Sequence, residues 1–230
     1  MKPGFEPQNF DPAMMMIHNL SDGIETSVRD AFLGTMSNFC KDIHDQLYAE
    51  LSALPWDEKC IMYGRVVNKK ARHNLIFMTG VTQEPSYEEG KGRIIDISRL
   101  QILPILLESV YKFMNEIGYK IKKEELIIEG NDYYDSNSCY IGFHGDTERK
   151  MVMGVRLGNT SFPIHFGWWK KRSFIDQSMK TFLLNPGDAY IMSEKAVGCD
   201  WKKYAGELMT LRHAAGNITT LKKNNQWPTE

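Results

Sequence analysis

The sequence predicts an α+β fold in which helices pack on a β-sandwich or barrel. Apolar residues recur at three- and four-residue spacing in two stretches of the first half. After Gly118 the pattern changes to period two and stays there, and the period-two segments are separated by the turn-forming residues Gly, Pro, Asn and Asp. Helical segments followed by a run of short strands must bury their stripes against the sheet.

The chain has 230 residues, 42% apolar content and a net charge of −1, enough to fill one globular domain or a core with an N-terminal extension. The expected division is an arm and helical extension over residues 1–58 and a sheet-rich domain over 59–230. The opening MKPGFEPQNFDP is polar and broken by proline, and AMMMI is too short for a signal peptide or a membrane span. An intracellular, non-secreted protein with no membrane partner is therefore expected. Cys40, Cys60, Cys139 and Cys199 are far apart with no CxxC pair, which points to reduced thiols rather than a zinc ribbon, and the sequons at Asn159 and Asn217 then carry no meaning. A near-neutral total excludes a surface that grips nucleic acid everywhere but permits a local basic patch.

Residues 1 to about 20 read as an irregular arm. From Asp22 onward Ile24, Val28, Phe32, Met36, Phe39, Ile43, Leu47 and Leu51 hold helical spacing, predicting one long helix or two short ones that end at Pro55. In residues 59–80 Arg65, Lys69, Lys70, Arg72 and His73 gather positive charge, with Tyr63 and Phe77 at the margins. Basic groups interleaved with aromatic ones suit a phosphate backbone beside a stacked base, and equally the solvated rim of a hairpin. The loop from Thr82 to Arg93, with Pro85, Gly90 and Gly92, is expected to be a mobile lid.

A second helix is predicted from about Leu100 to Ile117, with Ser98 as its cap, Pro104 in the first turn and Gly118 as its stop. The strands follow in EELIIEGND, SCYIGFHGD, KMVMGVRLG, FPIHFGWW, KTFLLNPGDAYIM and ELMTLRH. His165 in FPIHFGWW reads as a sheet residue, and Trp168 and Trp169 with Lys170, Lys171 and Arg172 as a stacking loop or an exposed hairpin tip. No glycine-rich GxGxxG follows a strand to open a helix, and no GxxxxGK(S/T) is present, so a nucleotide-cradling α/β fold is disfavoured.

The chemistry is concentrated in Asn131 to Gly158, where His144 and Asp146 flank one glycine. Residues two apart in an extended segment point the same way, so the imidazole and the carboxylate can converge. A facial triad of two histidines and one carboxylate needs one more imidazole and leaves open positions on Fe(II). His213, in TLRHAAG, is the best-placed residue to supply it.

Set beside LLNPGDAYIM and LRHAAG, this stretch resembles the Fe(II)/2-oxoglutarate dioxygenases, and within them the AlkB-like branch. IGFHGDTER (Ile141 to Arg149), VRLG (Val155 to Gly158) and PGDAYIM (Pro186 to Met192) carry the likeness, and YGRVVNKKARHN sits where that branch places a nucleotide-recognition segment. The likeness covers roughly residues 60–225. It implies a double-stranded β-helix (jelly-roll) dioxygenase domain over 59–230, Fe(II) held by His144, Asp146 and His213, 2-oxoglutarate as co-substrate, and dioxygen. Tyr133 or Tyr134 resembles the family's tyrosine that donates to the co-substrate, and Asn131 the asparagine beside it.

At the family's Trp-x-His position this chain reads DWKKYAG, with Lys203 where an imidazole is expected. Two alignments follow: His213 is the distal ligand, with Lys222 or Lys223 as the 2-oxoglutarate anchor, or Arg212 is that anchor and His213 merely its neighbour. Arg156 is a further candidate for the carboxylate-binding cation.

The resemblance implies a 2-oxoglutarate-dependent oxygenase acting on a methylated or alkylated base in nucleic acid. Arg65, Lys69, Lys70, Arg72 and His73 would contact the nucleic acid, and the substrate would be a single strand or a flipped base. A protein or small-molecule hydroxylase on the same core is the alternative within the enzyme class. A non-catalytic binding module that has lost its iron is the alternative outside it.

Overall fold

A computed structural model of the chain describes residues 9–24, 30–123, 126–203 and 208–228. In chain order these form β1 (Met16–Asn19), β2 (Phe32–Met36), α1 (His44–Ser52), β3 (Lys59–Met62), β4 (Arg65–Asn68), β5 (His73–Met78), β6 (Ile94–Asp96), α2 (Leu103–Glu116) and β7 (Ile128–Asp132). The second half adds β8 (Ile141–His144), β9 (Val152–Val155), β10 (Phe162–Lys170), β11 (Ser173–Phe174), β12 (Lys180–Leu184), β13 (Ala189–Met192), α3 (Glu194–Val197), β14 (Met209–Ala215) and α4 (Ile218–Lys223). The fold is mixed α+β, mostly strands in antiparallel sheets with few helices. Among the described residues no helix is long and apolar enough to cross a membrane.

Contacts divide the chain into two compact units, one of Met1–Met14 with Asp42–Asp135 and one of Met15–Lys41 with Ser136–Glu230. Within residues 1–58, β1 and β2 thus belong with the C-terminal strands, whereas α1 belongs with the central ones.

In the first unit β5 lies between β6, which is parallel to it, and β7, which is antiparallel, while β3 and β4 form a separate hairpin. The α2 stripe is buried through Leu103, Leu106, Leu107, Phe113 and Met114. Its N-terminal N–H groups are satisfied by Glu50 of α1, whose carboxylate accepts from Gln101, Ile102 and Leu103. A charged acceptor at that end complements the helix dipole. Ser98, the expected cap, instead follows Asp96 in a 3-10 turn. The expected lid from Thr82 to Arg93 is a pinned turn: buried Asp57 accepts from Tyr87 Oη at 2.9 Å and from the Arg93 N–H at 2.6 Å, and Gln83 bridges to Ile94.

The second unit is built from two sheets, β1-β2-β13-β9 and β11-β10-β14-β8, with β12 also pairing to β10. Their apolar faces share one core, in which Leu33 of β2 and Met192 of β13 meet Phe166 and Trp168 of β10 and Leu211 of β14. Burial of β10 over nearly its whole length, with only Pro163 and Lys170 more exposed, explains its continuous apolar run.

The N-terminal stripe departs from expectation. Phe32 to Met36, predicted as helix, is strand β2, paired to β1 on one side and β13 on the other; the helical part is His44–Ser52 with a 3-10 turn at Lys41–Ile43 before it, and Val28 lies outside the described residues. Two sheet neighbours satisfy the backbone of a segment with Gly34 at its centre, and Gly34 is a poor helix residue. Residues 16–19, expected in an irregular arm, supply the edge strand.

Candidate metal centre

Strand β8 ends at His144, and β14 runs antiparallel beside it with His213 directly opposite. Facing positions on adjacent strands project to the same side of a sheet, and the two imidazole centroids lie 4.3 Å apart. Asp146 follows after Gly145, and its N–H donates to the Val197 carbonyl at 3.0 Å. Gly145 is required by packing, because a Cβ there would sit 2.1 Å from the carbonyl oxygen of Gly198 and 2.7 Å from Cδ1 of Trp201. The ligand atoms of His144, Asp146 and His213 all lie within 4.8 Å of one another.

The donor atoms suit a cation. His144 Nδ1 lies 2.9 Å from the carbonyl oxygen of Gly142, which can only accept, and its Nε2 lies 3.5 Å from Asp146 Oδ1. His213 Nδ1 is buried with no hydrogen-bond partner among the described residues. Burial, reinforced by the neighbouring His144, pushes the His213 imidazole down to about 4, against the opposing pull of Asp146 and the Ala196 backbone. For Asp146 burial acts upward, but the hydrogen bond from His144 and the nearby His213 and Arg149 outweigh it, and the carboxyl is held below its ordinary value. The neutral imidazole of His213, the His144 ring and an ionised carboxylate thus converge, a donor set that fits Fe(II) or a similar divalent ion. The His144 and Asp146 side chains are 25% and 18% exposed while His213 is buried, so the cluster is reached from one side.

The expected co-substrate residues are distributed over both units. Arg212 projects from the face of β14 opposite His213, its guanidinium 4.6 Å from the Trp169 ring and 5.6 Å from that of Trp201. Arg156 curls back over Phe162 and donates to the Thr160 carbonyl. Lys222 and Lys223 are exposed in the last turn of α4. Asn131, Tyr133 and Tyr134 belong to the first unit. There Asn131 accepts from Arg72 Nε at 2.6 Å and from Asn74 at 2.7 Å, Tyr133 is half-buried after β7, and Tyr134 donates to the Lys70 carbonyl.

The basic stretch occupies the β3–β4 hairpin and the start of β5. Arg65 opens β4, Lys69 and Lys70 follow it, Lys69 is partly buried and pushed down in pKa by that burial, and His73 begins β5 within 3.6 Å of Asp132. His165 is a buried sheet residue, held by Thr181 Oγ1 and the Gly216 carbonyl at 2.8 Å each. Trp168 and Trp169 are buried too, which leaves Lys170 to Arg172 as an exposed hairpin tip.

Sequence reasoning missed Arg149, whose Nη1 holds Asp146 Oδ2 at 3.2 Å. Its position three residues beyond the aspartate was the available signal. It also missed the Gly198 turn under Gly145, for which no local signal exists because the partners are distant in sequence.

No family model matches the chain. Over 172 residues it is 46% identical to the uncharacterized protein R156 of Acanthamoeba polyphaga mimivirus, an alignment covering 75% of this chain. The chain spans 63% of that relative's length.

Proposed function

We propose that the second unit is a mononuclear Fe(II)/2-oxoglutarate-dependent dioxygenase core that hydroxylates a methylated or alkylated base in nucleic acid. The observation that carries this reading is the convergence of His144, Asp146 and His213 within 4.8 Å. The strand order β12-β10-β14-β8, set against a second antiparallel sheet, supports a jelly-roll core with the ligands on adjacent strands of one sheet. The position of His213 directly opposite His144 supports reading it as the imidazole that the Trp-x-His segment lacks, and weighs against a module that has lost its metal.

Fe(II) with 2-oxoglutarate and dioxygen would supply oxidative decarboxylation coupled to C–H hydroxylation. The chain's own part is to hold and to shield. His144 and His213 offer ring nitrogens, Asp146 offers one oxygen while Arg149 takes the other, and the Phe166 ring, 6.3 Å from that of His213, walls the inner side with apolar surface. Arg65, Lys69, Lys70, Arg72 and His73 provide the nucleic-acid contacts. An intracellular setting is in keeping with four free cysteines.

The test is turnover. Methylated oligonucleotides incubated with the protein, Fe(II) and 2-oxoglutarate should yield succinate and a changed base. Succinate formed with peptides or small molecules but with no oligonucleotide would replace the nucleic-acid reading with a protein or small-molecule hydroxylase.

A further inference from the structure

The ring of Tyr134 stacks on His73 in the first unit, with centroids 4.3 Å apart and planes 23° from parallel. His73 lies beneath, its side chain 16% exposed, while Tyr134 is 48% exposed. The pair is tied in place from below: Tyr134 Oη donates to the Lys70 carbonyl at 3.0 Å, and Asn131 takes hydrogen bonds from Arg72 and Asn74 on either side of His73. A core stack would be buried throughout. This one leaves about half of the tyrosine side chain accessible to solvent.

The strand and hairpin side of the stack is basic, whereas Asp132 and Asp135 flank Tyr134 in the chain. Between residues 59 and 73 the chain carries Lys59, Arg65, Lys69, Lys70 and Arg72 and no acidic residue. The β3–β4 hairpin that bears two of them turns through Tyr63 and Gly64, both at positive φ, and leaves the Tyr63 side chain at its tip 98% exposed. Asp132, 3.6 Å from His73, is the acidic group nearest the stack among the ion pairs seen there.

We infer that Tyr134, backed by His73, is a base-stacking platform for single-stranded nucleic acid, with Lys70 and the hairpin cations along the phosphate path. This deepens the nucleic-acid part of the proposed function and rests on that part, though not on the metal centre. A fixed aromatic face with cations beside it is what an unpaired base and its phosphates recognise, whereas duplex bases already stack on one another and offer no face. Single-stranded DNA and RNA share that chemistry, so both belong in the test.

The test is fluorescence anisotropy with short labelled oligothymidylate and oligouridylate, a duplex of the same length, and phosphatidylserine vesicles as competitor, with neither iron nor 2-oxoglutarate present. The full chain should bind the single strands more tightly than the duplex, and the tighter of the two identifies the polymer. Tyr134→Ala should weaken single-strand binding by about tenfold or more, and Tyr134→Trp should retain it. Lys70→Ala leaves the carbonyl that Tyr134 uses intact, and should lower the salt slope by about 0.7. Wild-type affinity in Tyr134→Ala, equal or tighter duplex binding, an unchanged slope in Lys70→Ala, displacement by vesicles, or no binding at low salt would each overturn the platform. A protein that binds strands but forms no succinate would leave the platform standing and remove the dioxygenase reading; succinate from a small molecule without strand binding would do the reverse.

Discussion

Arg149 Nη1 sits 3.2 Å from Asp146 Oδ2, which leaves Oδ1 as the oxygen turned toward His144 Nε2. A carboxylate held this way binds a metal through one oxygen. Arg149→Ala frees it to rotate, and should weaken Co(II) or Fe(II) binding by about tenfold, a typical loss for a group that orients a ligand. Calorimetric titration of the chelator-treated protein checks this, with Arg149→Lys restoring part of the affinity. Equal affinities in wild type and Arg149→Ala would assign the ion pair to the surface alone.

Gly145→Ala should damage stability and metal binding together. The added Cβ would fall 2.1 Å from the Gly198 carbonyl oxygen, and Gly198 itself sits at φ +75° against Leu211 backbone, so neither side can yield. Overpacking of this kind costs about 1–3 kcal/mol. The expected outcome is a lowered melting temperature and loss of the metal-induced rise in it.

Acid should destabilise the metal-free protein through its buried histidines. The imidazoles of His213, His165 and His18 are all held below 6.5 by burial, His213 at about 4. Between those values the unfolded chain binds protons that the folded one refuses, so the stability is fully present above about pH 6.5 and falls as pH drops toward about 4. For His213 alone the loss is on the order of 3 kcal/mol. Urea melts of metal-free protein should therefore show a decline over this window, and His213→Asn should flatten it. A slope unchanged by that substitution would mean His213 is not the proton-refusing group.

The sequence made some of this legible and hid the rest for definable reasons. Period-two patterning located β7 to β10 and β12 to β14 but not the two-residue β11, because a strand beside a core repeats its apolar side every second residue and β11 is too short to show it. The spacing of His144 and Asp146 about one glycine drew attention to both, and the likeness in IGFHGDTER came after it. Phe32 to Met36 misled because Phe32 and Met36, four apart, continue the spacing of Phe39, Ile43 and Leu47, and a short strand between two partners has no room to show its own period. Lys222 and Lys223 lie in the short helix α4 and are exposed, a helical placement that the strand-rich pattern before them does not reveal. The Glu50 cap on α2 and the Gly145–Gly198 contact join residues 51 or more apart, which a local reading does not reach.

The alternation along β14 supplies the sharpest test, because Arg212 and His213 are neighbours on opposite faces. His213 faces His144 across the strand pair, whereas Arg212 lies against Trp169 and Trp201. Anaerobic wild-type protein with Fe(II) and 2-oxoglutarate should show the weak visible charge-transfer band of a chelated keto acid. His213→Ala should abolish both the band and metal binding, since His144 and Asp146 alone define no facial site. Arg212→Ala should leave metal affinity within about threefold, because the guanidinium is on the far side of the sheet. It should instead shift tryptophan emission by removing the cation from the Trp169 and Trp201 rings. Retention of the band in His213→Ala with its loss in Arg212→Ala would exchange the two roles and make Arg212 the co-substrate anchor. Absence of the band in the wild type, with Co(II) still bound by all three ligands, would keep the metal centre and remove 2-oxoglutarate from it.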